Sequence, residues 1–211
     1  MNPRECLIVF TRHPEPGTTK TRLIARLGSR GAADLQRRMT EHVMARVLPL
    51  KRSRRLDVQV RFDGGDERLM QAWLGDGVTY ARQGAGDIGA RMARALGAAA
   101  RQGYTAMVVI GTDIPDISTK LLAQAFEALS DDTVVLGPAS DGGYYLVGLS
   151  PKILTLVAPS LFADLPWGAA TVLSKTCQRL DRMGVAYRFL ETLDDVDRPE
   201  DLPVWERIKC Q

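Results

Sequence analysis

Residues 104–115 read Tyr-Thr-Ala-Met-Val-Val-Ile-Gly-Thr-Asp-Ile-Pro, an apolar run that ends at a glycine and an aspartate. The run Tyr104–Ile110 is nearly free of polar residues, which predicts a strand buried on both faces of a sheet. Helical patterns flank it, Asp87–Gln102 before it and Ser118–Leu129 after it. A buried strand between two helices is typical of a parallel sheet in an α/β protein.

Strand and helix patterns alternate in the same way along the rest of the chain. Further strands are predicted at Cys6–Thr11, Leu56–Phe62, Val78–Ala81, Thr133–Leu136, Tyr144–Leu149 and Val185–Leu190. Further helices are predicted at Ala32–Leu48, Asp66–Leu74, Ala170–Met183 and Pro199–Ile208. The alternation predicts one α/β domain over residues 1–211, with a mostly parallel sheet covered by helices on both faces.

The composition is that of an ordinary globular protein. Hydrophobic residues make up 45% and charged residues 25% of the 211 residues, which excludes disordered, collagen-like and coiled-coil chains. No apolar run approaches the roughly 20 residues that span a bilayer, and the first residues lack the pattern of a signal peptide. Three cysteines, Cys6, Cys177 and Cys210, show no metal-ligand or redox spacing. We expect a reduced, cytoplasmic protein.

The charge balance argues against nucleic acid as a partner. The net charge is only +3, and the one dense basic run, at 51–55, has no interleaved aromatic residues and is interpreted as a solvated loop. In a parallel sheet, ligands bind beyond the carboxyl ends of the strands. The residues that follow each predicted strand are therefore the candidates for function.

The loop after the first strand carries three cations. Arg12, Lys20 and Arg22 lie within eleven residues of one another, around two prolines and Gly17. Charged donors and a closely approaching backbone suit a polyphosphate. The spacing matches neither a Walker A loop nor a dinucleotide-binding glycine motif, and a mobile basic surface loop is an equal alternative.

Acidic residues follow three other strands. Asp113 directly follows the buried run, where a carboxylate needs a cation or hydrogen bonds; Mg²⁺ is favoured over a helix cap because Ser118 already fills that position. The run Ser140-Asp141-Gly142-Gly143 alternatively forms a hairpin turn. Acids at 194–201 alternatively favour the dipole of the last helix.

Four motifs occur in order: Arg12-x-Pro-x-Pro-Gly-x-x-Lys-Thr-Arg-Leu, Gly111-Thr-Asp-x-Pro, Gly137-Pro-x-x-Asp-Gly-Gly-Tyr-Tyr-Leu and Asp195-Val-Asp-x-Pro-Glu-Asp-Leu. Together they resemble a bacterial family of GT-A-fold proteins labelled as glycosyltransferases, some of them linked to arsenosugar biosynthesis. The chain is more distantly similar to 2-phospho-lactate guanylyltransferases and other nucleotide-diphospho-sugar transferases. The resemblance spans Arg12 to Leu202 and implies a Rossmann-like, three-layer GT-A fold.

The resemblance also implies roles for individual residues. Lys20, Arg22 and Asp113 are the expected catalytic residues. The expected nucleotide-binding residues are Arg12, Gly17, Lys20, Arg22, Gln83, Gly86, Asp87, Gly89 and Asp113, with the segment from Gln83 to Gly89 at the base. The expected residues for the sugar or acceptor are Asp141, Gly142, Gly143 and Trp167. Asp113 and Asp197 are expected to bind Mg²⁺ or Mn²⁺, with Asp195 as the alternative second ligand.

Three functions remain open on the sequence. A Mg²⁺-dependent glycosyltransferase that uses a nucleotide sugar comes first, and a nucleotidyltransferase that joins an NTP to a phosphorylated acceptor and releases pyrophosphate comes second. A non-catalytic nucleotide-binding protein is third. The expected partners are a nucleotide or nucleotide sugar and a small-molecule acceptor, without nucleic acid, and a homodimer is left open.

Overall fold

Seven strands form one sheet in the structure, a computed structural model that describes residues 4–209. The strands are β1 (Glu5–Arg12), β2 (Leu56–Asp63), β3 (Thr79–Arg82), β4 (Ala106–Ile110), β5 (Thr133–Pro138), β6 (Tyr144–Leu149) and β7 (Ala186–Phe189). Their order is β3-β2-β1-β4-β6-β5-β7. Neighbours pair in parallel except where β6 runs antiparallel to β4 and β5.

Helices cover both faces of the sheet. They are α1 (Ile24–Ser53), α2 (Glu67–Leu74), α3 (Ile88–Arg101), α4 (Thr119–Ala128), α5 (Pro151–Leu161), α6 (Val172–Arg182) and α7 (Leu202–Lys209). Side chains of α1, α2 and α4 pack in one core on one face. Side chains of α3, α5 and α6 pack in a second core on the other. The three-layer α/β/α arrangement confirms the predicted fold class.

Strand β4 joins the two cores. Val108 and Ile110 lie in the first core, and Met107 and Val109 lie in the second. All four side chains are at most 3% exposed. Alternate residues of a strand point to opposite faces, so a continuous apolar run is what a strand covered on both sides requires, as the sequence predicted.

A third, smaller core packs the end of the chain on the start of α1. Val196 and Trp205 contact Leu23, Leu35 and Met39 there, and Val196 is fully buried. The Val196 amide also donates a hydrogen bond to the Asp113 carbonyl over 2.9 Å. The acidic segment near the chain end is thereby fixed beside the loop that follows β4.

Two helices differ from the sequence prediction. Helix α1 spans Ile24–Ser53 instead of Ala32–Leu48, with non-helical backbone at Gly28 (φ 70°). The interpretation of the basic run at 51–55 as a loop is therefore wrong for its first three residues, which form the last turn of α1. Helix α5 was not predicted, although Pro151 suits a first turn and the Ser150 hydroxyl caps the Ile153 amide over 3.2 Å. The two prolines in this segment indicated a loop, although its other residues follow a regular apolar pattern.

Strand β6 runs antiparallel to its neighbours, and this direction matters for the site. Strands β5 and β6 form an antiparallel hairpin closed by a hydrogen bond from the Ala139 amide to the Gly143 carbonyl. The hairpin turn around Asp141 therefore lies at the same edge of the sheet as the carboxyl end of β4, which precedes Asp113. The local hairpin interpretation of Asp141-Gly142-Gly143 is confirmed.

Two further expectations concern cysteines and membranes. Cys6 and Cys177 are free thiols, whereas Cys210 lies outside the described residues. Burial, followed by the nearby Asp57 charge, raises the pKa of Cys6 to about 12. Within residues 4–209, no helix combines the length and the apolar character needed to cross a bilayer.

Candidate active site

A cavity of about 680 Å³ opens at the edge of the sheet where β1, β2 and β4 end. We call it the main cavity. Most of the expected nucleotide-binding residues line it: Arg12, Lys20, Arg22, Gln83, Gly86, Asp87 and Asp113. The loop after β1, the start of α3 and the loop after β4 converge there, as expected for ligand sites in open α/β sheets.

Lys20 lies at the acidic end of the main cavity. Its Nζ donates to the Val196 carbonyl over 2.6 Å and lies 3.5 Å from Asp197 and 3.9 Å from Asp113. The side chain is only 6% exposed. Because both carboxylates lie within 4 Å of the same ammonium group, the structure brings together residues that are 84 positions apart in sequence.

The backbone at Lys20 is strained. Lys20 adopts φ 48° and ψ 46°, a left-handed conformation that costs a non-glycine residue of order 1–3 kcal/mol. The residue is followed directly by a short 3-10 turn, Thr21–Leu23. Arg22 in that turn pairs with Asp197 as well, and its side chain is 57% exposed. Asp197 therefore has two cationic partners.

Arg12 forms a second ionic group with Asp63 and Arg91, which were not among the predicted site residues. Its Nη2 contacts Asp63 over 2.6 Å, and Arg91 contacts the same Oδ2 atom over 3.1 Å. Burial alone would raise the pKa of Asp63, but hydrogen bonds from both arginines outweigh that effect and hold the pKa below its ordinary range. Asp63 ends β2, so its position at a strand end was an available signal.

Arg91 adds a fourth cation to the main cavity. It lies in the first turn of α3, and its side chain is 24% exposed. Its Nη1 also donates to Gln83 Oε1 over 3.1 Å. The sequence contains no motif that would have marked it.

Gln83 is buried, and its side-chain amide forms hydrogen bonds within the protein. The Nε2 group donates to the carbonyls of Thr11 and Arg61, over 3.0 and 3.1 Å. These bonds tie the carboxyl ends of β1 and β2 together. The contacts give the Gln83 amide a structural role, and base reading by this segment stays a prediction.

The neighbouring residues of the Gln83–Gly89 segment mainly shape the start of α3. Asp87 is the N-cap, and its carboxylate accepts from the Ala90 amide over 2.8 Å. At Gly89 an added Cβ would lie 2.2 Å from the Phe162 carbonyl oxygen and 2.5 Å from the Trp167 ring. Gly86 lines the main cavity, whereas Gly17 and Gly89 are absent from its walls.

A buried polar network supports the floor of the main cavity. The hydroxyls of Thr11, Thr40 and Thr112 lie 2.8 to 3.3 Å from one another, and the Gln36 amide donates to all three. The network links β1, α1 and the loop that carries Asp113. A fully bonded buried network fixes the relative positions of its elements.

Asp195 faces two other carboxylates. Burial, followed by the charges of Asp141 and Asp113, raises its pKa to about 6. Within residues 4–209 it makes no salt bridge, unlike Asp197. No group of three or more His, Cys, Asp or Glu side chains is arranged as a complete metal site in this part of the chain.

A second cavity of about 270 Å³ adjoins the main cavity and contains expected acceptor residues. Asp141, Gly143 and Trp167 line it together with Asp113 and Asp195. Gly142 is not among its lining residues. Gly142 packs on the segment before α6 instead: its φ is 88°, and an added Cβ would lie 2.2 Å from the Ala170 carbonyl oxygen. Its carbonyl accepts from the Leu173 amide over 2.9 Å, which holds the hairpin turn against α6.

Comparisons with known proteins place the chain among bacterial sequences of one family. The model of the family described as "Uncharacterized protein conserved in bacteria (DUF2064)" matches residues 45–169. None of the curated proteins matches the chain.

Solved structures extend the likeness over the whole chain. A protein from Desulfovibrio desulfuricans G20 described as a nucleotide-diphospho-sugar transferase is 32% identical, with a TM-score of 0.87, over 97% of this chain and 87% of that one. A nucleotidyl transferase from Methanothermobacter is 18% identical, with a TM-score of 0.68, over 100% and 99%. A 4-diphosphocytidyl-2C-methyl-D-erythritol synthase from Anaerococcus prevotii is 11% identical, with a TM-score of 0.67, over 99% and 97%. At these low identities, the last two show the shared fold alone.

Proposed function

We propose that this chain, which belongs to the bacterial DUF2064 family, is a transferase that acts on a nucleotide-activated substrate, in the first place a nucleotide-sugar-dependent glycosyltransferase. One observation carries the proposal: four cationic side chains and four carboxylates, among them the pair Asp113 and Asp197 at Lys20, line one cavity at the edge of the sheet. The cationic side chains are Arg12, Lys20, Arg22 and Arg91. The description of the 32%-identical relative as a nucleotide-diphospho-sugar transferase supports the same class.

The cations suit the phosphates of a nucleotide. Arginine presents paired donors to phosphate oxygens, and lysine acts as a compact point charge. Arg22 is more than half exposed and Arg12 nearly half exposed, so both can contact a ligand in the main cavity. Lys20 is held deeper by Asp113 and Asp197, where it can meet the phosphate nearest to the reacting bond.

The acids suit a divalent cation, Mg²⁺ or Mn²⁺. Such ions are usually held by one or two carboxylates together with substrate phosphates, so a complete cage of protein ligands is unnecessary. Asp113 is the first ligand in this proposal. Asp195 is the second, because Asp197 is already paired with Lys20 and Arg22 while Asp195 faces only like charges. When bound, the cation would offset the negative charge that develops on the leaving diphosphate.

In the glycosyl reaction, an acceptor hydroxyl oxygen forms a bond to the anomeric carbon of the donor sugar. The bond from that carbon to the diphosphate oxygen breaks, its electron pair stays on the nucleoside diphosphate, and the hydroxyl proton is released. Lys20 and the arginines hold the diphosphate in place while its charge increases, which is how fixed cations stabilise such a transition state.

Nucleotidyl transfer is the second candidate, because four cations also suit the higher charge of a triphosphate. In that reaction an acceptor phosphate attacks the α-phosphate of an NTP and pyrophosphate leaves. The fold is shared with a nucleotidyl transferase, although at 18% identity.

The products distinguish the two reactions. Purified protein is incubated with Mg²⁺, a mixture of small acceptors and, in turn, each NTP and each common nucleotide sugar. Release of a nucleoside diphosphate from a nucleotide sugar supports the first candidate, and release of pyrophosphate from an NTP supports the second. Nucleotide binding without either product would leave only a binding protein and refute the transferase.

A further inference from the structure

The second cavity differs in charge from the main cavity that it adjoins. Three carboxylates line it, those of Asp113, Asp141 and Asp195, and its described lining residues include no lysine, arginine or histidine. The main cavity is lined by four cationic side chains together with four carboxylates, so an anion finds cationic donors there. The two cavities share five lining residues, Ile88, Met92, Asp113, Tyr144 and Tyr145, so they are adjacent and a donor in one lies beside an acceptor in the other.

The remaining walls of the second cavity are aromatic and apolar. Tyr144 and Trp167 meet edge to face with their ring centres 6.1 Å apart, and Ile88, Met92 and Val172 complete the wall. Such surfaces pack against the C–H groups of a sugar or polyol. Carboxylates accept hydrogen bonds from hydroxyl groups but cannot donate any when ionised.

We propose that the acceptor in the second cavity is an unphosphorylated, hydroxyl-rich small molecule, and that the carboxylates of this cavity exclude phosphorylated acceptors. The inference rests on the proposed function and narrows it, because a nucleotidyltransferase of the second kind requires a phosphorylated acceptor. A phosphate group in this cavity would find no cationic donor among the described lining residues and would face Asp141 at close range.

A bound divalent cation does not remove this selectivity. It would offset charge at Asp113 and Asp195, but the phosphates of the donor bring further negative charge to the same place. Among residues 4–209, Asp141 has no cationic partner, and its Oδ1 accepts a hydrogen bond from the Gly143 amide over 2.8 Å. The acceptor side of the site therefore stays unfavourable for an anion.

The variant Asp141→Asn removes the negative charge of this residue without disturbing the fold. The asparagine oxygen can accept the same hydrogen bond from the Gly143 amide, so the hairpin turn is preserved while one negative charge is lost. The matched control is Asp132→Asn, which removes an equal charge from a side chain that is 78% exposed and pairs with Lys152 outside both cavities.

The experiment compares acceptors in pairs that differ only by a phosphate. The pairs are glucose with glucose 6-phosphate, mannose with mannose 6-phosphate, N-acetylglucosamine with its 6-phosphate, and glycerol with glycerol 3-phosphate. Calorimetry first identifies a nucleotide sugar that binds, and nucleoside diphosphate release is then measured with each acceptor. If no nucleotide or nucleotide sugar binds, the proposed function itself fails.

The expected result is turnover that is at least roughly tenfold faster with the unphosphorylated member of the best pair. Asp141→Asn should reduce that preference by roughly threefold or more, and Asp132→Asn should leave it unchanged. A donor that binds while the phosphorylated members react equally well or better would overturn the inference, as would donor binding without acceleration by any unphosphorylated member. An unchanged preference in Asp141→Asn would overturn it as well.

Discussion

At the scale of single residues, Lys20 connects the two halves of the candidate site. Its ammonium group joins the loop after β1 to Asp113 and Asp197, and it lies in the wall of the main cavity. An ion pair at 4 Å is worth on the order of 4 kcal/mol at an effective dielectric of about 20, before desolvation. A phosphate that approaches this ammonium would gain from the same charge.

Lys20→Ala should therefore weaken nucleotide binding by roughly tenfold or more and should reduce its dependence on salt concentration. Calorimetry at two ionic strengths measures both effects. Lys152→Ala is the matched control, since Lys152 is exposed and lies outside the cavities. Equal affinities for wild type and Lys20→Ala would remove Lys20 from the phosphate site.

Asp195 gives a prediction about pH. Its pKa in the folded protein is raised from 3.8 to about 6, so the folded chain binds this proton more tightly than the unfolded chain does. Stability from this group is therefore greatest at low pH and is lost as pH rises towards 6. Above that pH the ionised, partly buried carboxylate destabilises the fold in the absence of a divalent cation.

Asp195→Asn should accordingly stabilise the metal-free protein at about pH 8, by on the order of 1–2 kcal/mol after allowance for solvent screening. The gain should disappear at about pH 4, where the wild-type carboxyl is protonated. Urea denaturation in the presence of a chelator measures the difference at both pH values. The same gain at both would show that charge repulsion is not its cause.

At the scale of elements, the start of α3 is fixed against the C-terminal end of α5 and the segment after it. An added Cβ at Gly89 would lie 2.2 Å from the Phe162 carbonyl oxygen, a backbone atom that cannot move aside without shifting α5. Trp167, which lines the second cavity, would be displaced as well. The contact therefore couples helix packing to the shape of the acceptor side.

Gly89→Ala should destabilise the protein by about 1–3 kcal/mol, the usual cost of overpacking. Gly97→Ala, in the same helix, is the control. Its added Cβ would meet only the flexible end of Arg101 at 3.4 Å, and alanine favours a helix by about 1 kcal/mol over glycine. Thermal unfolding should separate the two variants in opposite directions, and equal losses would contradict the packing argument.

The elements also show what the sequence could and could not predict. Strand β4 was predictable because burial on both faces leaves a continuous apolar run, and the Ser118 cap was predictable from its position before a helical pattern. The reversal of β6 was not predictable, since a six-residue apolar strand carries no signal of its direction. Helix α5 was missed because prolines at both ends resemble loop punctuation.

Within the candidate site, strand-end positions were the strongest signal. Lys20, Asp113 and Asp197 all follow strands, and in the structure the Lys20 ammonium group lies within 4 Å of both carboxylates. The roles of these residues in binding and catalysis stay predictions. Arg91 was not predicted because its importance depends on which side chains the fold brings beside it, whereas Asp63 follows a predicted strand and could have been selected. Gln83 was expected at the base because of the resemblance, but its Nε2 group donates to the backbone of two strands and its Oε1 accepts from Arg91.

At the scale of the whole molecule, two cavities of different charge lie along one edge of the sheet. The main cavity combines four cations, from the loop after β1 and from α3, with four carboxylates. The second cavity is lined by three carboxylates and by no cation among its described residues, and Asp113 lines both cavities. A parallel sheet places these segments together because their strands end at the same edge. Only β6 is reversed within the described chain, and its reversal adds Asp141 to the second cavity.

The most direct test of the central claim is calorimetric titration of the nucleotide sugar or NTP that binds the wild-type protein, with and without Mg²⁺, repeated on Asp113→Asn and on the control Asp132→Asn. We predict that Mg²⁺ strengthens binding to wild type and to Asp132→Asn by roughly tenfold or more. We predict no such gain for Asp113→Asn, with unfolding transitions that remain cooperative in all three proteins. Binding to Asp113→Asn that Mg²⁺ strengthens as much as in wild type would contradict the proposed site.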